Sequence, residues 1–246
     1  MNEVALFAGA GGGILGGHLL GWRTVCAVER DAYAAQVLAQ RQNDRCLRPF
    51  PIWSDVCSFD GKPWRGIVDI VSGGFPCQDI SVAGSGAGIE GTRSGLWKQM
   101  ARIVDEVRPS YVLLENSTLL VGRGLAMVLG DHATLGLDAE WCCISASECG
   151  ASHNRDRIWL GAYPKGEHGQ SWNSLVQSEN GRAQTQFGRL PWLVTPASGR
   201  RRNPWPECSP RLCRVADDVA FGVDRLKALG NGQVPRVAAT AFSILK

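Results

Sequence analysis

The chain has 246 residues, of which 44% are hydrophobic and 20% charged, and its formal net charge is +3 at neutral pH. This composition is that of a soluble globular protein large enough to bury a core, and it excludes an intrinsically disordered chain. No apolar run reaches the roughly 18–20 residues of a membrane helix, and no basic segment precedes the first apolar run, so we predict a cytoplasmic protein without membrane anchor or secretion signal.

Strands and helices alternate in the sequence pattern. The first strand is predicted at 3–9 and is followed by a glycine-rich turn and a short helix. Asp31 is placed to cap a second helix and Ser94 a third, which should end before Pro109. The remaining strands are predicted at 22–29, 67–73, 111–116, 140–148 and 157–163, and a last helix at the C-terminus. Such alternation predicts an α/β fold with a doubly wound, mostly parallel sheet.

The sequence pattern changes after Pro164, where polar, glycine and asparagine residues follow and apolar residues recur with no sustained helical or strand period. We therefore predict three parts: a main domain over 1–163, a small irregular insert over 164–210, and a segment over 211–246 that returns to the main domain.

Charge is distributed unevenly between these parts. Residues 1–163 carry 14 Lys and Arg against 17 Asp and Glu, whereas residues 164–246 carry 12 against 6. A basic C-terminal third indicates either a polyanionic partner or an ordinary solvated surface, and charge alone does not choose between them.

Nine cysteines are many, but their number is odd and no Cys-x-x-Cys pair exists. Four single histidines add no second ligand pair with zinc spacing. We predict reduced thiols rather than a disulfide framework, and no metal site.

The glycine loop after the first predicted strand indicates a cofactor site. Glycines allow a tight turn and a close approach of a ligand, and the following helix offers free backbone amides. Glu29 ends the second predicted strand, where an acidic side chain can accept hydrogen bonds from a ribose. These features favour a nucleoside cofactor. A nicotinamide dinucleotide is the runner-up, since the loop lacks the G-x-G-x-x-G order in its pyrophosphate-binding form.

Cys77 follows another predicted strand, at the sheet edge where α/β folds bind ligands. Five glycines lie between residues 84 and 95, which is typical of a lid, although a structural cysteine beneath a loop would give the same pattern. Glu115 ends the strand 111–116 at the same edge, and Arg155 and Arg157 alternate on a later strand. A thiol beside a carboxyl group indicates a nucleophile with an acid partner.

A series of short motifs in the chain resembles, in the same order, those of the cytosine-5 DNA methyltransferases. The motifs are "FAGAGGG", "ERD", "SDV", "GGFPCQDIS", "GTRSGLW", "LLENS", "HNRDR" and "ALGNGQVP". The resemblance covers residues 4–163 and roughly 210–246. It implies a Rossmann-like fold of the S-adenosylmethionine-dependent methyltransferase type and DNA (cytosine-5-)-methyltransferase activity on a flipped-out base in duplex DNA.

The resemblance also implies a role for each matching residue. Cys77 would add to carbon 6 of cytosine, and Glu115 would hold or protonate ring nitrogen 3. Arg157 would bind the exocyclic oxygen, and Arg155 would support the catalytic loop or the thiolate. The implied S-adenosylmethionine contacts are Phe7, Ala8, Gly9, Ala10, Gly11, Gly12, Glu29, Arg30, Asp55, Val56, Pro76, Leu96, Asn231 and Gly232.

DNA contacts are expected from polar and basic residues of the glycine-rich segment and the insert, namely Ser81, Arg93, Arg189, Arg200, Arg201 and Arg202. The resemblance also implies a bacterial or phage restriction-modification enzyme, with a cognate restriction endonuclease or none. No dimer motif is visible in the sequence, so we expect a monomer. Ser117 replaces a usual valine, and Ser152-His153 replaces a usual Pro-Gln pair.

Two alternatives remain: an RNA (tRNA) cytosine-5 methyltransferase on the same scaffold, and a non-catalytic DNA-binding relative.

Overall fold

The computed structural model describes residues 1–76, 95–166 and 222–246. The strands in these ranges are β1 Asn2–Leu6, β2 Arg23–Val28, β3 Ile52–Trp53, β4 Ile70–Gly73, β5 Tyr111–Ser117, β6 Leu137–Ser145 and β7 Asp156–Pro164. The α-helices are α1 Gly12–Leu19, α2 Ala32–Asn43, α3 Gly95–Val107, α4 Leu120–Arg123, α5 Leu125–Thr134, α6 Gly222–Asn231 and α7 Pro235–Leu245. Two short 3-10 helices span Lys62–Trp64 and Ala146–Cys149.

The described strands form one seven-stranded sheet in the order β3-β2-β1-β4-β5-β7-β6. The five strands from β3 to β5 are parallel, and β7 pairs antiparallel with both β5 and β6. This arrangement confirms the predicted α/β class and the mostly parallel sheet. Because the carboxyl ends of parallel strands share one edge, the loops after β1, β2, β4 and β5 meet there.

Helices cover both faces of the sheet. On one face α3 buries Met100, Ile103 and Val107 in the largest hydrophobic cluster, together with Val71 and Leu114 of the sheet. On the other face α7 contributes to a second cluster through Phe242, whose ring lies edge-on to Trp22 with a centroid separation of 4.6 Å. The C-terminal helix is therefore an integral part of the core.

Most predicted elements are present, with shifted ends. β1 ends at Leu6 rather than at residue 9, because Phe7 and Gly9 adopt positive φ angles that an extended strand cannot hold. Asp31 caps α2 by accepting a hydrogen bond from the Ala34 amide, as predicted. The predicted cap Ser94 lies outside the described residues.

Besides the two 3-10 helices, one strand and three α-helices were not predicted from the sequence: β3, α4, α5 and α6. β3 has only two residues, too few for any periodic pattern. The apolar residues of α4 and α5 are interrupted by Gly122, Gly124 and Gly130, which lower intrinsic helix propensity. These helices depend on packing against the sheet.

Glu3 links three adjacent strands of the sheet through hydrogen bonds. Its side chain is fully buried on β1, and its carboxyl group accepts a hydrogen bond from Thr24 Oγ1 on β2 and another from Ser72 Oγ on β4, both at 2.6 Å. Burial raises the pKa of Glu3 to about 7, and the two hydroxyl groups only partly offset that effect.

Within the described ranges, no helix combines the length and apolar character needed to cross a bilayer.

We expect the substitution Glu3→Gln to stabilise the protein at alkaline pH. The folded pKa of about 7 exceeds the ordinary value of 4.5, so the wild-type stability contribution is full below about pH 4.5 and declines as the pH rises to about 7. Glutamine has no proton to lose. The free energy of unfolding of the variant, relative to wild type, should therefore increase by on the order of 2–3 kcal/mol between about pH 4.5 and pH 8. Urea unfolding of both proteins at pH 4.5 and at pH 8 measures the difference in their free energies of unfolding. A difference that is the same at the two pH values would contradict the prediction.

Candidate active site

A cavity of about 810 Å³ opens at the carboxyl edge of the sheet. It lies where the loops after β1, β2, β3, β4 and β5 meet the start of β7 and the end of α6. Ten of the fourteen predicted cofactor residues line it: Phe7, Gly9, Glu29, Arg30, Asp55, Val56, Pro76, Leu96, Asn231 and Gly232. Its volume lies in the range of cavities that hold small-molecule cofactors.

The other four predicted cofactor residues, Ala8, Ala10, Gly11 and Gly12, are not in the cavity wall but shape the loop beside it. Gly11 has a φ of 89°, and a side chain there would collide with Leu38 on α2. Gly12 begins α1, and a side chain there would collide with the backbone carbonyl of Gln233. The glycines therefore serve close backbone packing as well as the turn.

Glu29 is held by two backbone amides. Its Oε2 accepts a hydrogen bond from Gly9 N, and its Oε1 accepts one from Asp31 N, both at 2.6 Å. The carboxylate thus joins the β1–α1 loop to the start of α2. Each oxygen keeps a free lone pair for a hydroxyl donor in the cavity.

The cavity is bounded on another side by the buried carboxyl group of Glu115. Its Oε1 accepts a hydrogen bond from Arg157 Nε at 2.9 Å within an ion pair. Burial raises the pKa of Glu115, whereas Arg157 and then Arg155 act in the opposite direction. A raised pKa lets a carboxyl group keep its proton to higher pH than a solvated one, which favours a role in acid–base catalysis.

Arg155 also lines the cavity, but its donors are directed to the polypeptide backbone. Nη1 donates to the Gly230 carbonyl at 2.7 Å, and Nη2 donates to the Gly232 carbonyl at 2.9 Å. The guanidinium group therefore ends α6 and fixes the following loop, a favourable position for a cation at a helix C-terminus. Its Nε is buried and has no hydrogen-bond partner within the described part of the chain.

Sequence reasoning missed three contributors to this site. Asn116 Nδ2 donates to the Phe75 carbonyl at 3.0 Å and so orients the turn that leads to Pro76. Lys227 on α6 pairs with Asp31 across the cavity rim at 2.5 Å. Gln233 places its side-chain amide beside Glu115 above Gly74. Asn116 and Gln233 stand inside quoted motifs, whereas α6 has no sequence signal that could have indicated Lys227.

Several predicted site residues lie outside the described residues, namely Cys77, Ser81, Arg93, Arg189, Arg200, Arg201 and Arg202. Pro76, directly before Cys77, lines the cavity. Six cysteines in the described ranges are free thiols, and no group of three or more His, Cys, Asp or Glu residues there could hold a metal ion.

Comparison with known proteins gives the family. The profile of the family described as C-5 cytosine-specific DNA methylase matches residues 1–189. The chain is 39% identical over 115 residues to the type II methyltransferase M.Eco47II of Escherichia coli, an alignment that covers 45% of this chain and 26% of that protein. It is 34% identical over 158 residues to the type II methyltransferase M.CviJI of Paramecium bursaria Chlorella virus IL3A, covering 63% and 41%.

A solved structure described as a DNA modification methyltransferase encoded within an Escherichia coli prophage superposes with a TM-score of 0.55 at 25% identity. It covers 67% of this chain and 47% of that one. The chain spans about a quarter to a half of the length of the curated relatives that it matches. The match over residues 1–189 contains the glycine loop, Glu29, Cys77, Glu115 and both arginines, so the chain belongs to the C-5 cytosine-specific DNA methylase family.

Proposed function

We propose that the protein is a DNA (cytosine-5-)-methyltransferase that transfers a methyl group from S-adenosylmethionine to a flipped-out cytosine in duplex DNA. Use of S-adenosylmethionine is general in the family to which the chain belongs. The observation that carries the proposal is that one cavity contains Glu29, Pro76 and the buried Glu115–Arg157 pair. The base must leave the helix because carbon 6 is inaccessible inside a stacked duplex.

The cavity walls fit an adenosine-type cofactor. Glu29 offers acceptor oxygens for ribose hydroxyl groups, and Phe7 and Leu96 offer apolar surface. Asp55 and Asn231 add polar groups on two other walls. When bound, S-adenosylmethionine supplies an electrophilic methyl group.

The residues of the chain would act on the base in the following way. The Cys77 thiolate forms a bond to carbon 6, which pushes electron density towards carbon 5. Glu115 holds or supplies the proton at ring nitrogen 3, and Arg157 donates to the exocyclic oxygen, so both stabilise the charge that attack produces. After methyl transfer, carbon 5 loses its proton and the thiolate leaves. Arg155 acts on the α6–α7 loop rather than on the base.

The remaining features of the protein are proposed on the same basis. Residues 1–163 form the catalytic domain, residues 164–210 recognise the target, and residues 211–246 return to the catalytic domain. The packing of α7 on α1 and on the sheet supports the last of these assignments. Ser81, Arg93, Arg189, Arg200, Arg201 and Arg202 contact DNA. The enzyme acts as a monomer of a restriction-modification or phage system, with or without a cognate endonuclease. The family description favours DNA over the RNA alternative.

Covalent trapping tests the proposed function. Duplex DNA of mixed sequence containing 5-fluorocytosine, incubated with the protein and S-adenosylmethionine, should give a denaturation-resistant adduct, since fluorine blocks the final elimination. The adduct should disappear in Cys77→Ala and persist in Cys46→Ala, which removes an exposed thiol outside the cavity. An absent DNA adduct with methyl transfer to tRNA would establish the RNA alternative. Cofactor binding without transfer to either would establish a non-catalytic relative.

The substitution Glu29→Gln should weaken binding of S-adenosylhomocysteine about tenfold or more. Both Glu29 oxygens accept backbone N–H groups, so the amide nitrogen of glutamine would face a donor in either orientation. Calorimetric titration measures the affinity, with Asp138→Asn on the edge strand β6 as a control that should bind normally. Wild-type affinity in Glu29→Gln would contradict the assignment of this carboxylate.

The substitution Arg155→Lys should also weaken S-adenosylhomocysteine binding, by about tenfold, because lysine cannot span the Gly230 and Gly232 carbonyls as the planar guanidinium does. Arg225→Lys, an exposed position on the same helix α6 outside the cavity wall, is the matched control. If both variants bind like wild type by calorimetry, Arg155 does not fix the cofactor loop.

A further inference from the structure

The segment from Gly230 to Gln233 is held by two separate parts of the site. Arg155, directly before β7, donates to its Gly230 and Gly232 carbonyls. The next residue, Gln233, packs its backbone against Gly12, the first residue of α1. The segment is therefore fixed between the strand that carries Arg157 and the helix that follows the cofactor loop.

The side chain of Gln233 continues from α1 towards the catalytic carboxyl group. Its Oε1 lies against Gly13, where any side chain would collide with it. Its Nε2 lies over Gly74, where a Cβ atom would be 3.2 Å from Nε2 and 2.7 Å from Glu115 Oε2. The amide and the carboxyl group therefore lie side by side above a glycine that leaves them room, and the amide acts to lower the pKa of Glu115.

The two oxygens of Glu115 consequently have different neighbours. Oε1 is bound by Arg157, whereas Oε2 lies against Gly74 beside the Gln233 amide. Contacts on both oxygens fix the rotation of the carboxyl plane, which a single ion pair would leave free. The charged side chains that act on Glu115 in the described part of the chain are Arg157 and Arg155.

We propose that Gln233 is a positioning residue of the methyl-transfer site, whose amide holds the Glu115 carboxyl group above Gly74 and ties it to the first turn of α1. This inference rests on the proposed function. It connects the helix that follows the cofactor loop with the group that handles the cytosine ring proton. A displacement of the first turn of α1 is thereby transmitted to Glu115 through one side chain.

The chemical consequence is a change in the pH range over which Glu115 keeps its proton. A donor on Oε2 favours the carboxylate, so its removal makes the proton harder to lose. A proton donor fails once the pH exceeds its pKa. Loss of the Gln233 amide should therefore move the alkaline limb of the kcat profile to higher pH.

Gln233→Met tests the proposal because methionine keeps the length of the side chain and removes the amide. At the pH optimum we expect kcat to fall about fivefold, as for the loss of one neutral hydrogen bond, with a smaller change in KM for S-adenosylmethionine. The alkaline limb should shift upwards. Gln233→Glu keeps the shape and adds a like charge, so it should shift the limb further in the same direction.

The control is Arg236→Gln, an exposed residue at the start of α7 that is outside the cavity wall and should leave both kcat and the pH profile unchanged. Thermal unfolding of each variant establishes that it is folded, and if the methionine variant is not, Gln233→Glu carries the test. A raised KM with an unmoved pH profile would mean that Gln233 only packs against α1, which overturns the proposal.

A readout without turnover separates this proposal from the proposed function. Difference infrared titration of Glu115, assigned through Glu115→Gln, follows its protonation directly. A Glu115 titration that moves upwards in Gln233→Met supports the contact even if the wild type transfers no methyl group, in which case the proposed function alone fails. A titration that Gln233→Met leaves unchanged overturns the positioning role whatever the activity.

Discussion

The parallel pairing of β1 with β2 and β4, and of β4 with β5, is the constraint on which the site depends. Parallel strands bring their carboxyl ends to one edge, so the glycine loop, Glu29, Pro76 and Glu115 meet there although more than a hundred residues separate the first from the last. The two antiparallel pairings of β7 then return Arg155 and Arg157 to the same edge from the opposite direction. A shift of one residue in the β5–β7 register would turn Arg157 away from Glu115.

Two buried carboxyl groups in this sheet, Glu3 and Glu115, have different roles because their surroundings differ. Glu3 on β1 receives two hydroxyl groups and links three strands, and burial raises its pKa to about 7. Glu115 on β5 receives a guanidinium group, which opposes the effect of burial, and faces the cavity. Both are nearly inaccessible, but only Glu115 adjoins a space that could hold a substrate. The chemistry therefore resides where the buried group meets the cavity.

The C-terminal segment has more than one function in this architecture. α7 fills the core on one face of the sheet, which fixes the position of the residues just before it. Those residues, Gly230 to Gln233, then contact α1, Glu115 and Arg155. Because α7 is anchored by apolar burial, the polar contacts of the preceding loop are held without relying on their own small net stabilisation.

The sequence by itself determined the fold class, the strands with clear apolar runs, the Asp31 cap and the family. Each of these depends on local pattern or on motifs that stand in linear order. It also identified Glu29 and Glu115 as residues of one site, since both end strands at the carboxyl edge, whereas Arg157 was assigned to that site through the resemblance of the motifs. Only the tertiary structure decided that Arg155 binds backbone carbonyls, that Lys227 pairs with Asp31, and that Gln233 meets Glu115 above Gly74. These contacts join residues between 75 and 196 positions apart, and their partners are determined by how helices pack on the sheet rather than by any periodicity along the chain.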